Sequence, residues 1–168
     1  KDMIVYKPIN SDTYFSTSNY EFDKIKESFS NDYSYFNEKE ISLKNLFINF
    51  KTKNFFIEEY GSNIVGVCIN YADGKKEILI NSDAWSSFSD SMYENFLKKQ
   101  LLYHEMGHCV LGRTHDDSIA DNNFPLSIMS TKLFAKNDFY SDNEDLYIEE
   151  LFSKEKESTT KTISFSNY

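Results

Sequence analysis

Basic charge, histidine, cysteine, proline and glycine are all in short supply in this chain of 168 residues. Lys and Arg total 18 against 27 Asp and Glu, a formal net charge of -9. That balance excludes a protein that neutralises a nucleic-acid backbone or is held to anionic lipid by a basic patch. No apolar run approaches the ~18 residues a membrane-spanning helix needs, so no transmembrane segment is expected. With 2 Cys there is no disulfide framework. Cys68 and Cys109 stand either as two small buried residues or as a single sheet-to-helix disulfide, which an extracellular chain permits. With 2 Pro and 5 Gly there is no linker, and no internal repeat is visible, so residues 1–168 read as one domain. The chain opens at Lys1 with neither Met nor a signal-like apolar stretch, as a processed or trimmed piece would.

What is present suffices for a core. Hydrophobic residues make up 40% of the chain, and a chain of this size buries roughly 70% of its unfolded surface. Met3–Tyr6 is a short apolar run that suits a first strand. Phe22, Ile25, Phe29, Tyr33 and Phe36 recur at three or four residues, which predicts an amphipathic helix over about 19–37 with Asn19 as its N-cap. Leu46–Phe50 and Asn54–Glu58 read as short strands. Asn63–Tyr71 and Lys76–Asn81 flank Ala72-Asp73-Gly74-Lys75, a hairpin signal because Asp-Gly supplies the positive φ of a tight turn. A long helix is predicted over about 91–111, opened by a capping box from Ser91 to Glu94 and closed by Gly112 in a left-handed conformation. Asp142–Lys154 reads as a last amphipathic helix, and a polar tail, Glu155–Tyr168, follows.

The three histidines fall close together, at His104, His108 and His115. His104-Glu105-Met106-Gly107-His108 is H-E-x-x-H. Residues four apart on a helix lie about 40° apart around its axis, one turn up, so both imidazoles can meet one metal ion. Glu105 beside the first ligand can take a proton from a water that the metal acidifies, the chemistry of zinc peptidases. A glycine turn at Gly112 can bring His115 back as a third imidazole, leaving one position of a tetrahedral zinc open for water.

These residues resemble the metzincin clan of zinc metallopeptidases, whose consensus is H-E-x-x-H-x-x-G-x-x-H followed by a methionine in a tight turn. Here Gly112 and His115 come one residue later than in that pattern, with Leu111 at the glycine position and Thr114 at the third-ligand position. The extra residue must be absorbed by a bulge, a longer last turn or a different loop path. Ser127-Ile128-Met129-Ser130 looks like the methionine turn, with Met129 as an apolar floor below the metal. Thr131 stands where some members have a tyrosine ligand. Asp116 resembles a structural aspartate of the snake-venom and disintegrin-type branch, anchoring the chain near the turn.

The resemblance implies an α+β catalytic domain. Its parts are a twisted five-stranded mixed sheet, an active-site helix, the methionine turn and a C-terminal helix, divided at about residue 112 into subdomains 1–112 and 113–168. It implies one catalytic zinc on His104, His108 and His115, with Glu105 as general base. It also implies a fourth strand, Asn63–Tyr71, at the sheet edge, where Ile64, Val65, Gly66, Val67 and Cys68 line the non-primed side of the cleft. Leu111 and 124–134 would wall the specificity pocket. A solvated acidic loop is favoured over calcium binding at Asp116, Asp117 and Asp121. The expected protein is a monomeric zinc endopeptidase acting on protein or peptide. It would be secreted or carried on a bacterial surface, for instance as a lipoprotein whose N-terminus has been removed. Two other readings stand beside this one: a gluzincin-type site with Glu144, Glu149 or Glu150 as third ligand, and an inactive zinc-binding module.

Overall fold

The computed structural model describes residues 2–10, 19–121, 123–132 and 142–153. The predicted tail, Glu155–Tyr168, lies outside the described residues, as do positions 133 and 134 of the expected pocket wall. Among the described residues the fold is α+β. Its strands are β1 (Asp2–Lys7), β2 (Leu46–Lys51), β3 (Gly66–Tyr71) and β4 (Lys76–Asn81). Its helices are α1 (Tyr20–Asn37), α2 (Lys53–Tyr60), α3 (Ser82–Phe88), α4 (Glu94–Cys109) and α5 (Glu144–Ser153).

The sheet has four strands in the order β1-β3-β4-β2, not the five expected. β1 runs parallel to β3 and β2 parallel to β4, while β3 and β4 form the antiparallel hairpin. The missing fifth strand is Asn54–Glu58, which lies within α2. The Thr52 side chain accepts the Phe55 N–H at 3.1 Å and starts a helix there. That bond satisfies a donor which a strand would have to pair elsewhere. The hairpin closes as its residues predict: the Tyr71 N–H donates to the Lys75 carbonyl at 3.0 Å, and Gly74 has φ 86.

Alternation along β3 sorts its side chains between two cores. Cys68 joins Leu46, Ile48, Ile78 and Ile80 in packing against α1, α4 and α5. Val67, Ile69 and Tyr71 face the other way, with Met3, Leu79 and Phe56 of α2. On the first face α1 begins at Asn19, whose side chain accepts the Phe22 N–H at 3.0 Å, and buries Phe22, Phe29 and Tyr33. Phe29 meets Tyr103 and Phe152 edge-on at 5.2 and 5.0 Å between ring centroids. Tyr103 donates to Asp32 at 2.6 Å, and burial pushes its phenol well above the ordinary range. Lys98 is buried on α4 and binds Glu21 of α1 at 2.7 Å and Glu94 at 2.8 Å.

This ion pair explains why the expected capping box does not open α4. Glu94 Oε1 is engaged one turn onward by Lys98 and by the Ser89 hydroxyl at 3.1 Å, and the helix begins at Glu94 with Tyr93 as its cap. Helix α3 is not among the expected elements and starts where the Asn81 side chain accepts the Asp83 and Ala84 N–H groups. Among the described residues no helix is long and apolar enough to cross a membrane.

Candidate metal centre

Helix α4 is buried along its second half, and His104, Glu105 and His108 are 5, 0 and 3% exposed. His115 is half-buried in the segment after the helix. Imidazole centroids lie 4.8 Å apart for His104 and His108, 4.9 Å for His108 and His115, and 5.4 Å for His104 and His115. One ring nitrogen from each falls within 4.8 Å of the others, so the three can hold a metal ion.

Backbone carbonyls set the orientation of two of these rings. His104 Nδ1 is 2.6 Å from the Ile128 carbonyl, and His108 Nδ1 is 2.7 Å from the Arg113 carbonyl. A carbonyl only accepts, so each bond places a hydrogen on Nδ1, and in the neutral ring the lone pair then lies on Nε2. Three converging imidazoles, two of them with Nδ1 engaged by a carbonyl, are a donor set that suits zinc, with Zn–N bonds of about 2.0–2.1 Å. The residues therefore fit the expected ion.

The extra residue before Gly112 is absorbed at the end of α4. The Val110 N–H donates to the Met106 carbonyl at 2.7 Å, and the Leu111 N–H reaches the same carbonyl, five residues back, at 3.3 Å. The Arg113 N–H then closes on the Gly107 carbonyl, six residues back, at 2.8 Å. A Schellman end closes five residues back, so this turn is one residue wider, a π-type exit. Gly112 has φ 68, the left-handed conformation its position predicts. The Lys76 amine donates to the Cys109 carbonyl at this end, and burial lowers the lysine's affinity for its proton.

The turn at Ser127–Ser130 is tight, with the Ser130 N–H on the Ser127 carbonyl at 3.1 Å. Met129 is fully buried beneath α4. A Cβ on Gly107 would overlap the Met129 sulfur and lie 3.3 Å from Leu151 Cδ1, so the absence of a side chain there lets Met129 sit this close to α4. The Asp116 N–H donates to the Met129 carbonyl at 2.9 Å. Asp116 thus meets the turn through its backbone, while its Oδ1 accepts the Ser118 N–H at 3.0 Å, and Asp117 supplies a side-chain anchor. Asp117 Oδ1 accepts from the Thr131 N–H at 2.7 Å, the Thr131 hydroxyl at 2.9 Å and the Ser130 hydroxyl at 3.3 Å. The Thr131 N–H, more than any other group, holds the Asp117 carboxyl below its usual range.

Cys68 and Cys109 form a disulfide, which resolves the two alternatives open in the sequence. The expected edge position of β3 is corrected. Gly66, Val67 and Cys68 pair with Asp2, Met3 and Ile4 on one side and with Ile80, Leu79 and Ile78 on the other. Ile64 is buried, its carbonyl accepts from the Asn81 side chain at 3.4 Å, and the Val65 carbonyl accepts the Asn81 N–H at 3.0 Å. The apolar run of β1 takes the edge because Met3 and Ile4 become buried there. The candidate carboxylate ligands lie elsewhere: Glu144 pairs with Lys99 at 2.6 Å, Glu150 pairs with Arg113 at 3.2 Å, and Glu149 is exposed. Two carbonyls, Asp117 and the Arg113–Glu150 pair brace the segments that carry the histidines, and none of these roles is legible in the sequence. Backbone acceptors carry no residue-type signal, and the salt bridge joins segments distant in sequence.

No protein-family model, curated protein or solved structure matches the chain.

Proposed function

We propose that this chain is a zinc-dependent endopeptidase, with His104, His108 and His115 as ligands and Glu105 as general base. The observation that supports it most is the convergence of three imidazole nitrogens within 4.8 Å beside a fully buried glutamate. Zinc bound there supplies Lewis acidity, polarising a peptide carbonyl and lowering the pKa of water. The chain's own residues do the rest. The Ile128 and Arg113 carbonyls hold His104 and His108 in the ligating tautomer, and Met129 supports α4 from below. Glu105 takes the proton from the attacking water and returns it to the leaving amine. The metzincin resemblance supports the same assignment, and the wide exit of α4 supplies a route by which His115 serves despite its spacing. A disulfide between two fully buried half-cystines suits an oxidising compartment, so the reading extends to a secreted or surface-attached enzyme.

Metal analysis and cleavage of a broad peptide library test this directly. One zinc per chain is expected. Cleavage should be abolished by a chelator, restored by zinc and lost in Glu105→Ala with the zinc retained. Zinc-loaded protein that cleaves nothing in the library would favour an inactive zinc-binding module instead.

A further inference from the structure

We infer that Gly66 is a positioning residue for Glu105: the missing side chain at Gly66 is the space into which the general base fits. The inference rests on the peptidase reading of the site. A Cβ built on Gly66 would lie 2.8 Å from Glu105 Cδ, 2.9 Å from Oε2 and 3.1 Å from Cγ. Ordinary contact begins at 3.4 Å. The φ of Gly66 lies outside the left-handed region, where only Gly61, Gly74 and Gly112 fall among the described glycines. The backbone would therefore accept alanine, and the three atoms nearest to that Cβ all belong to the Glu105 side chain.

The surrounding structure prevents the backbone from yielding. Gly66 pairs with Asp2 on one side and Ile80 on the other. Two residues along β3, Cys68 is bonded to Cys109, which is four residues beyond Glu105 on α4. Two strand residues rise about 6.6 Å and four helical residues about 6.0 Å. Helix and strand thus run in step, with Glu105 over Gly66 and Cys109 over Cys68. The disulfide and the Lys76 bond to the Cys109 carbonyl hold that register. An alanine at position 66 is then accommodated by the flexible end of Glu105. A carboxylate displaced by a sizeable fraction of an ångström loses its alignment, and misplacement on the order of 1 Å can cost about 100-fold in rate.

Gly66→Ala is compared with the unmodified chain, both with Glu105 present and in a Glu105→Ala background. Zinc content, library-peptide kinetics and thermal midpoint are measured for each. The expected result is full zinc occupancy, KM within about two-fold and kcat reduced roughly 10- to 100-fold. The midpoint should fall when Glu105 is present but not when it is alanine. If Gly66→Ala unfolds the chain, folding of Gly66→Ala/Glu105→Ala supports the contact, and failure of both overturns it. Unchanged kcat in a cleaving enzyme, or an equal midpoint loss in both backgrounds, overturns the role of Gly66 alone. An unmodified, zinc-loaded chain that cleaves nothing overturns the peptidase reading and this role with it.

Discussion

Asp117 shows how much of the candidate centre depends on residues that do not face the metal position. Its Oδ1 gathers three hydrogen bonds from Ser130 and Thr131 and so ties the segment after His115 to the turn that ends there. The same turn presents the Ile128 carbonyl to His104 Nδ1. Removing the carboxylate leaves all three imidazoles in the chain but loosens the element that orients one of them. Outer partners of metal-bound histidines typically cost 10- to 100-fold in affinity when removed. Asp117→Ala is therefore expected to weaken zinc binding by about 10-fold, read by competition with a chromophoric chelator. Unaltered affinity would show that the turn holds His104 without Asp117.

Between elements, the Cys68–Cys109 bond is the covalent tie that joins β3 to α4. It closes a separation of 41 residues, and loop-closure entropy for that length gives roughly 4 kcal/mol of stabilisation. Cys68→Ala/Cys109→Ala should lose stability on that order in urea unfolding, and a loss below about 1 kcal/mol would show that the bond constrains little. Part of this level is legible in the sequence. The period of Phe22, Phe29 and Tyr33 disclosed α1, and Asp73-Gly74 disclosed the hairpin, because both signals are local. The H-E-x-x-H spacing likewise disclosed a cluster that the fold assembles. Phe55-Phe56-Ile57 misled because its β-prone side chains say nothing of the Thr52 cap that starts a helix. The position of β1 beside β3 was hidden for another reason. Strand order depends on which distant apolar run covers which edge, and no window of sequence contains both strands.

At the scale of the molecule, the candidate centre joins parts that are otherwise held together by packing and hydrogen bonds. His104 and His108 belong to α4, which is embedded in the larger core, whereas His115 lies in the loop that leads to the methionine turn and on to α5. An ion held by all three links the helix to this loop in the folded state, and the unfolded chain has no such convergence. Binding to the native state alone raises stability by RT ln(1 + [L]/Kd), about 2.7 kcal/mol at a free concentration of 100 Kd. For a chain of this size each kcal/mol moves the thermal midpoint by about 2–4 °C, so zinc should raise it by roughly 5–10 °C. His115→Ala separates this linkage from general metal adhesion. It leaves α4 and its core intact but removes the nitrogen that ties in the loop, so most of the zinc-dependent rise should vanish while the metal-free midpoint stays close to that of the unmodified chain. Calorimetry with and without excess chelator measures both quantities. A full zinc-dependent rise in His115→Ala would assign the third ligand to another residue and remove His115 from the site.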